Sequence, residues 1–585
     1  MYIFVRQLLE KVILKRVFPG WQLCSRHRSS TWGKLTSSYC FEPHASALLG
    51  DTYSSVINRA ATHWPGDIGW VFVKEKKQIT YGQFRDDVDK ACKGLLSAGF
   101  KRGESVAIWS PNTYNWILMY SALAKAGVVS ACIHPAYTAA ELEACLKKVG
   151  CAGIYIPESF NTMKYYEILC HLIPELKDSA PGQLSSTKFP FLRSVIVDSE
   201  RSLPGTINLR AICEGGDADL AEAEKHISID DPLTIVFTSG TTGAPKAAMI
   251  SHHGFVNNAL AYSYRSPVDR QNSICCPLPF FHVFGMMITL GVCTVTGIKV
   301  VIPGPSYDVK DILVAIQKYK CVELSGAPTM HLDLLGHPEL HKYDTSSVKK
   351  VVMGGNICAT DVRKFVENKL NVTVMVGYGA TETTTAACLV AETDPKHKRL
   401  TTVGRPLPFV EAKIADVTTG KETPVNEPGE VWIRGHNVFL GYHGEDAKTR
   451  EVLTPARWYK TGDVGVMDED GYVTIMGRLK DMVIRGGENI YPIEIETVLN
   501  AHPEVQEALV LGVPDKRMGE ELCAWIVPKE GSQPNSEDLR EYCKGKISHF
   551  KIPRYFIFEA DYPKTAIGKA QKQEMRLLAV KKLGL

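Results

Sequence analysis

Short runs of apolar and β-branched residues alternate with longer amphipathic segments from about residue 41 to residue 410. This alternation predicts parallel strands joined by helices, because a parallel connection must be long enough to cross over the sheet. The clearest predicted helix is Phe84 to Ala98. The predicted strands are Ser105 to Ile108, Ile154 to Ile156, Ser194 to Val197, Leu233 to Thr238, Lys299 to Ile302 and Lys349 to Met353. The first large part of the chain is therefore predicted to be α/β.

The pattern changes near Val410, where short predicted strands are separated by turns. A smaller unit of mixed helices and strands follows Lys480. A chain of 585 residues is also too long for one hydrophobic core. We predict a large domain over 42–479, made of two α/β subdomains and a β-rich subdomain at about 410–479, and a small mobile α+β domain over 480–585.

The positive charge of the chain is concentrated at its beginning. Residues 1–41 contain seven basic residues and one acidic residue, a net charge of +6, whereas the whole chain carries +3. The remainder is then close to −3, and the whole-chain charge of only +3 argues against a broad nucleic-acid-binding surface. The first segment is amphipathic, rich in arginine and then in serine, as in presequences that direct proteins to the mitochondrial matrix. A basic tail is the alternative interpretation.

The sixteen cysteines include no Cys-x-x-Cys pair, so we predict free and mostly buried thiols in a reducing compartment. The longest apolar stretch, Val283 to Ile298, has sixteen residues and is interrupted by glycines. It is too short to cross a bilayer as a helix. We therefore predict that it is part of the core and that the chain has no transmembrane span.

The most specific local motif directly follows the predicted strand Leu233 to Thr238. Its small residues leave backbone N–H groups accessible to phosphate oxygens, its hydroxyls add donors, and its lysine adds a positive charge. The sequence therefore predicts a polyphosphate-binding loop, with an exposed Ser/Thr/Gly turn as the alternative. The loop consists of Thr238, Ser239, Gly240, Thr241, Thr242, Gly243, Ala244, Pro245 and Lys246.

A second motif, Gly377 to Thr383, also follows an apolar predicted strand. Its glycines permit a tight turn that presents the Tyr378 ring for stacking. Thr381 and Glu382 offer the hard oxygen ligands that Mg²⁺ prefers when it is also bound to phosphates. The alternative is a strand-to-helix turn capped by threonine.

Further charged residues lie on glycine-containing turns toward the end of the chain. Asp463 could accept hydrogen bonds from ribose hydroxyls, and Arg478 could bind ribose or phosphate. Lys480 marks a plausible hinge, and Lys569 could neutralise charge between a carboxylate and a phosphate. Taken singly, each motif could also be an ordinary surface turn or a solvated lysine.

Together these motifs resemble those of the acyl-adenylate-forming enzymes, which include acyl-CoA synthetases, firefly luciferase and the adenylation domains of peptide synthetases. The resemblance extends from about residue 50 to residue 580, with the motifs in the family's order. The segments Arg485 to Pro492, Asp515 to Glu521 and Lys544 to Pro553 are most similar to those of mitochondrial medium-chain acyl-CoA synthetases.

The resemblance implies a two-step reaction, in which a fatty acid and MgATP form acyl-AMP and pyrophosphate, and coenzyme A then displaces AMP. It implies that the loop 238–246 binds the β- and γ-phosphates, that Tyr378 stacks on adenine, and that Thr381 and Glu382 hold phosphate and Mg²⁺. By the same resemblance Asp463 holds the ribose, Arg478 contacts ribose or phosphate, and Lys569 serves adenylation.

The remaining positions follow from the same resemblance. The backbone of Gly354 and Gly355, with the adjacent Asn356, would line adenine, and Lys480 would be the hinge between the two half-reactions. The residues expected to face coenzyme A are Arg485, Gly486, Gly487 and Glu488.

Several alternatives stay open at this stage. His282 is either a contact of the acyl pocket or a core histidine at the end of a strand. An aryl- or branched-acid ligase, or a non-catalytic AMP-binding protein, are the competing functions. The sequence does not predict the acyl chain length, the cleavage site of the presequence, the oligomeric state or regulation by modification.

Overall fold

The computed structural model describes residues 34–238, 245–355, 358–486, 488–564 and 570–585. Its residues form two compact units. The first unit contains 34–36, Cys40–Ala412 and Ile433–Tyr459, and the second contains Ser37–Tyr39, Lys413–Trp432 and Lys460–Leu585. The second unit thus includes segments that precede residue 480. The domain boundary predicted at that residue stays a prediction.

The first large sheet of the first unit has eight strands. Its six strands from Pro232–Thr238 to Thr206–Asn208 are parallel, and the two strands at the other edge are antiparallel. In spatial order the strands are Gly441–Tyr442, Lys246–Ser251, Pro232–Thr238, Val129–Ile133, Ser105–Trp109, Gly153–Pro157, Ser194–Asp198 and Thr206–Asn208.

The second large sheet of this unit has nine strands, of which the six central ones are parallel. In spatial order they are Arg405–Pro406, Cys388–Leu389, Thr373–Tyr378, Lys350–Met353, Glu323–Gly326, Ser273–Cys275, Lys299–Ile302, Ile68–Phe72 and Lys77–Thr80. The predicted α/β fold is therefore confirmed.

Helices connect the parallel strands of both sheets, and several begin at threonine caps. Thr80 and Thr138 each form a capping box, which satisfies backbone N–H groups that a helix start leaves without a partner. The α-helices of the first unit are Tyr53–His63, Tyr81–Ser97, Tyr114–Lys125, Ala139–Val149, Tyr165–Leu172, Leu209–Cys213, Leu220–Lys225, His252–Arg265, Val283–Met286, Cys293–Thr296, Val309–Tyr319, Pro328–Gly336, Thr360–Leu370, Lys396–Thr401 and Asp446–Val452.

The described residues also form two smaller sheets of five strands each. One has the strand order Tyr39–Phe41, Val410–Ala415, Gly429–Gly435, Tyr459–Met467 and Val473–Arg478. The other contains Glu488–Ile490, Val483–Arg485, Gly519–Pro528 and Val505–Asp515, with Tyr555–Phe558 also paired to Gly519–Pro528. The helices of the second unit are Pro492–Asn500, Ser536–Cys543 and Lys572–Leu583. The β-rich segment and the mixed segment after it were both predicted from the sequence.

The strand Tyr39–Phe41 lies inside the segment 1–41 that we assigned to a presequence. The folded part of the chain therefore begins a few residues before the predicted boundary. Residues 1–33, which carry most of the basic charge, lie outside the described residues, and the presequence itself stays a prediction.

The apolar stretch Val283 to Ile298 is buried in the first unit, as predicted. It folds as Val283–Met286, a π-helical segment Met287–Val292, and Cys293–Thr296. In the part of the chain that the structure describes, no helix has both the length and the apolar composition needed to span a bilayer. The fifteen described cysteines are all free, and thirteen of them are buried.

Candidate active site

The strands on either side of the predicted phosphate loop pair in antiparallel fashion at one side of the parallel sheet. Thr238 ends one strand and Lys246 begins the next, and their Cα atoms are paired. The neighbouring strand Val129–Ile133 runs parallel to Pro232–Thr238, so Thr238, the first residue of the predicted loop, lies at the carboxyl edge of the sheet. Ligands of open α/β sheets bind at this edge. The loop residues Ser239, Gly240, Thr241, Thr242, Gly243 and Ala244 lie outside the described residues.

The two segments predicted to contact adenine follow adjacent strands of the second large sheet. Met353 pairs with Val376 in parallel strands, which brings Gly354 and Gly377 to the same sheet edge. A Cβ atom added to Gly354 would lie 3.7 Å from the Gly377 carbonyl oxygen. Tyr378 ends its strand one residue later. The structure therefore brings these predicted residues together, whereas Asn356 lies outside the described residues.

Gly379 is required by a close approach of two backbone segments. A Cβ atom at this position would lie 1.9 Å from the carbonyl oxygen of Thr385. Neither backbone atom can move aside as a flexible side chain can, so a larger residue must displace the turn that contains Thr381 and Glu382.

We expect Gly379→Ala to lower kcat/KM for ATP by about 10²-fold, because a displacement of roughly 1 Å at a catalytic site has effects of that size. Steady-state kinetics at varied ATP concentration measure this change. Gly336→Ala is the matched control, since a Cβ atom at Gly336 meets nothing within 4 Å. Equal activity of the two variants would contradict the assignment of this turn to the nucleotide site.

Glu382 lies in a single 3-10 turn, Thr381–Thr383, and is held at both its backbone and its side chain. Its carbonyl oxygen accepts a hydrogen bond from the Phe439 N–H at 3.0 Å. Its Oε1 accepts a hydrogen bond from the Tyr442 hydroxyl at 2.7 Å. The Lys246 Nζ lies 4.9 Å from the centroid of the Tyr442 ring. The lysine of the phosphate loop and the glutamate of the second motif therefore contact the same side chain.

These residues fit a magnesium ion that is held mainly by a nucleotide. Among the described residues, no cluster of three or more histidine, cysteine, aspartate or glutamate side chains could bind a metal by itself. Mg²⁺ usually keeps waters and takes only one or two carboxylates together with substrate phosphates. The half-buried Glu382 carboxylate, next to the Thr381 hydroxyl, supplies ligands of that kind.

Tyr442 was not predicted from the sequence. It follows Glu382 by sixty positions, and the two meet because the short strand Gly441–Tyr442 pairs with Lys246–Ser251. A strand of two residues has no periodicity that a sequence pattern could reveal. The adjacent Gly441 is compatible with a turn, but it gives no indication of a contact with Glu382.

His282 caps the helix Val283–Met286. Its Nδ1 accepts a hydrogen bond from the Phe284 N–H at 3.2 Å, which explains a histidine at this position without a substrate. The same segment lies beside the candidate site, because the Thr385 hydroxyl donates to the Val283 carbonyl at 3.0 Å. A contact of His282 with the acyl group stays a prediction.

Asp463 and Arg478 are neighbours within the second unit. They are paired across the antiparallel strands Tyr459–Met467 and Val473–Arg478. Arg478 Nε lies 2.8 Å from Asp463 Oδ1, and the Asp463 side chain is only 9% exposed. The buried carboxylate and the half-exposed guanidinium place a charged acceptor next to charged donors, which are the groups that bind ribose hydroxyls and phosphate.

The other predicted residues of the second unit follow this pair in the sequence. Lys480 lies in the 3-10 turn Leu479–Asp481, directly after Arg478. Arg485 forms an ion pair with the buried Glu521 and donates to the Phe550 carbonyl at 3.3 Å. This pairing gives Arg485 a structural role in its unit, and its contact with coenzyme A stays a prediction. Gly486 and Glu488 are exposed, whereas Gly487 and Lys569 lie outside the described residues.

Comparison with known families matches most of the chain. Residues 57–443 match the family described as AMP-binding enzyme, and residues 494–569 match the AMP-binding enzyme C-terminal domain. The chain is 41% identical to the mitochondrial medium-chain acyl-CoA ligase ACSF2 of Danio rerio over 94% of this chain and 92% of that protein. It is 38% identical to the putative acyl-CoA synthetase YngI of Bacillus subtilis over 90% of this chain and 97% of that protein.

A solved structure of the same fold contains a nucleotide. The ATP-bound MatB of Rhodopseudomonas palustris has a TM-score of 0.76 and 26% sequence identity to this chain. The similarity covers 91% of this chain and 99% of that protein. The fold class and the resemblance inferred from the motifs are both confirmed by these similarities.

Proposed function

The chain belongs to the family of AMP-binding enzymes, and we propose that it is an AMP-forming ligase of a medium-chain fatty acid with coenzyme A. The relatives with about 40% identity over nine-tenths of the chain are named medium-chain acyl-CoA ligases. The observation that carries the proposal is the placement of Lys246 and Glu382 around Tyr442 at the carboxyl edge of the sheet. This arrangement supplies the cation and the carboxylate that a metal-bound polyphosphate requires.

The first half-reaction joins two anions. A carboxylate oxygen attacks the α-phosphorus of ATP, the bond between the α-phosphorus and the bridging oxygen breaks, and pyrophosphate leaves. A carboxylic acid with a pKa of about 4 is already ionised at neutral pH, so no general base is required. Fixed positive charge must instead offset the repulsion, and Lys246, Arg478 and Lys569 are the residues we assign to it.

Mg²⁺ bound with ATP would neutralise phosphate charge, and Thr381 and Glu382 would hold it. Tyr378 would stack on adenine, with the backbone of Gly354 and Gly355 beside it. Asp463 would accept hydrogen bonds from the ribose hydroxyls.

In the second half-reaction the thiol of coenzyme A loses its proton to solvent, and the resulting thiolate attacks the acyl carbon of acyl-AMP. The bond from that carbon to the phosphate oxygen breaks, and AMP leaves as acyl-CoA forms. The nucleophile attacks a carbon atom in this step and not the anionic α-phosphate. The positive charge that offset repulsion at the phosphate during adenylation is therefore no longer required. A turn of the small domain about Lys480 would remove Lys569 and bring residues 485–488 to the coenzyme A side.

The proposal also includes the chain length of the acid and the cellular location of the enzyme. The named mitochondrial relatives and the basic segment 1–41 together support import into the mitochondrial matrix. An aryl- or branched-chain acid is the second candidate substrate.

A direct assay tests this function. Purified protein is incubated with ATP, Mg²⁺, coenzyme A and a panel of acids from four to sixteen carbons, together with aryl and branched acids. We expect AMP, pyrophosphate and acyl-CoA in equal amounts, with the highest kcat/KM for acids near octanoate. Omission of coenzyme A should leave ATP–pyrophosphate exchange intact. Failure to form AMP with any straight-chain acid would exclude the proposal, and a preference for aryl or branched acids would favour the second candidate.

A further inference from the structure

Tyr442 is a buried residue whose ring and hydroxyl contact two different parts of the candidate nucleotide site. The hydroxyl donates to Glu382 Oε1 at 2.7 Å. The ring lies under the Lys246 ammonium, with Nζ 4.9 Å from the ring centroid. The residue is 2% exposed. A single rigid side chain therefore links the lysine of the phosphate loop to the glutamate of the second motif.

Tyr442 is itself held by its surroundings. Its strand pairs with the strand that begins at Lys246, with Tyr442 opposite Ala248. Its N–H donates to the Thr449 hydroxyl at 2.9 Å, and the Phe439 ring packs edge-on at a centroid distance of 4.9 Å. Backbone, hydroxyl and ring contacts thus leave this side chain little freedom to change its rotamer.

The preceding residue shows that the close packing here depends on glycine. Gly441 has φ of +145°, and a Cβ atom at this position would lie 2.8 Å from Thr449 Cγ2. The segment 439–442 also reaches the backbone of Glu382 through the Phe439 N–H. The glutamate is therefore held at two points by one short segment.

The chemistry of both contacts leaves the functional groups available to a ligand. An ionised carboxylate has about four lone-pair positions, and the phenol occupies one of them. An ammonium above an aromatic ring is attracted by the ring quadrupole, while its N–H donors can still point to other acceptors. Tyr442 can therefore fix where both charges lie without neutralising either of them.

We propose that Tyr442 is a positioning residue that sets the geometry of Glu382 and Lys246 for a magnesium-bound nucleotide. The inference rests on the proposed function, because the roles of Glu382 and Lys246 toward Mg²⁺ and phosphate come from it. Tyr442 acts on the ligand through these two residues. Its contribution is orientation, and it is separate from the packing that any buried tyrosine provides.

The test is an equilibrium binding experiment with Tyr442→Phe, which removes the hydroxyl and keeps the ring. Binding of α,β-methylene-ATP is measured by calorimetry over a series of Mg²⁺ concentrations. We expect the Mg²⁺ concentration for half-maximal binding to rise about tenfold, since groups that orient metal ligands commonly affect metal affinity by 10–100-fold. Nucleotide affinity without Mg²⁺ should stay near the wild-type value, because the ring still faces Lys246.

Two further variants separate orientation from stability. Tyr81→Phe is the matched control, since Tyr81 is also buried and donates to the Cys293 and Ile298 carbonyls. It should lower the melting temperature without changing the Mg²⁺ requirement. p-Aminophenylalanine at position 442 keeps a ring and a donor and should restore the wild-type Mg²⁺ requirement.

A double-mutant cycle with Glu382→Gln provides the decisive comparison. If Tyr442 acts through Glu382, Tyr442→Phe should add no further loss of Mg²⁺ affinity in the Glu382→Gln background. Equal Mg²⁺ requirements for wild type and Tyr442→Phe, or fully additive effects in the cycle, would overturn the inference. If wild-type protein binds the nucleotide but activates no acid, the proposed function fails while this result still decides the role of Tyr442.

Discussion

Lys569→Ala is expected to lower the rate of acyl-adenylate formation by at least about 10²-fold, the effect of removing one group that stabilises transition-state charge. Thiolysis of supplied acyl-AMP should change by less than about threefold, because that step needs no added charge at the α-phosphate. ATP–pyrophosphate exchange measures the first half-reaction, and acyl-CoA formation from synthetic acyl-AMP and coenzyme A measures the second.

Lys564→Ala is the matched control for this prediction. Lys564 lies on the same carboxy-terminal segment, and its ammonium is 2.5 Å from the Asp561 carboxylate. Its replacement removes a positive charge five positions earlier in the sequence but not the one assigned to adenylation, so both half-reactions should stay close to wild type. Equal loss of both half-reactions in Lys569→Ala would show that the residue does not serve adenylation alone.

Much of the α/β fold could be predicted because its strands are short, apolar and bounded by turn residues. The predicted strand Lys299 to Ile302 has the observed bounds, and Leu233 to Thr238 differs by one residue. The predicted helix Phe84 to Ala98 begins earlier, at Tyr81, because Thr80 and Gln83 form a capping box. Local patterns of this kind depend on side chains near in sequence, which is why they are readable.

The parts that sequence reasoning missed depend on contacts between distant residues. The pairing of Tyr442 with Glu382 is formed by a two-residue strand at a sheet edge. The π-helical segment Met287–Val292 is also short, and because all six of its residues are apolar or buried it has no apolar period that would distinguish it from an α-helix. Burial of this stretch was predictable from composition, whereas its hydrogen-bond pattern was not.

Charge pairing could be predicted only in part. Because the net charge after residue 41 is close to −3, an anionic substrate must be bound by a few placed basic groups rather than by the overall charge. The structure adds that Arg485 forms an ion pair with Glu521, which lies thirty-six positions later and is 1% exposed. The resemblance assigned Arg485 to the coenzyme A side, and spacing alone offered no reason to expect an internal partner.

Asp463→Asn is expected to raise KM for ATP by about 10²-fold, because hydrogen bonds to a charged acceptor contribute roughly 1.5–3 kcal/mol each. The carboxylate is buried beside Arg478, so the amide also weakens the charge pair that orients the guanidinium. KM for the fatty acid should change much less, since the acid carries no ribose, whereas KM for supplied acyl-AMP should rise together with KM for ATP because the adenylate keeps the same ribose.

Asp468→Asn is the control that tests whether KM for ATP depends on the carboxylate at position 463 or on any carboxylate of this hairpin. Asp468 lies in the same hairpin and accepts hydrogen bonds from the Asp470 and Tyr472 N–H groups. This variant should keep KM for ATP within about twofold of wild type, because surface substitutions away from a site rarely have larger effects. Similar increases in both variants would mean that Asp463 acts through folding of the hairpin.

The assigned contact can be isolated by changing the nucleotide instead of the protein. Wild-type enzyme should lose about tenfold in kcat/KM with 2′-deoxy-ATP, since one charge-assisted hydrogen bond is removed. Asp463→Asn should be less sensitive to the same change, because the hydroxyl then meets a weaker acceptor. If the variant loses as much as wild type on removal of the 2′-hydroxyl, the ribose contact lies elsewhere and Asp463 only supports Arg478.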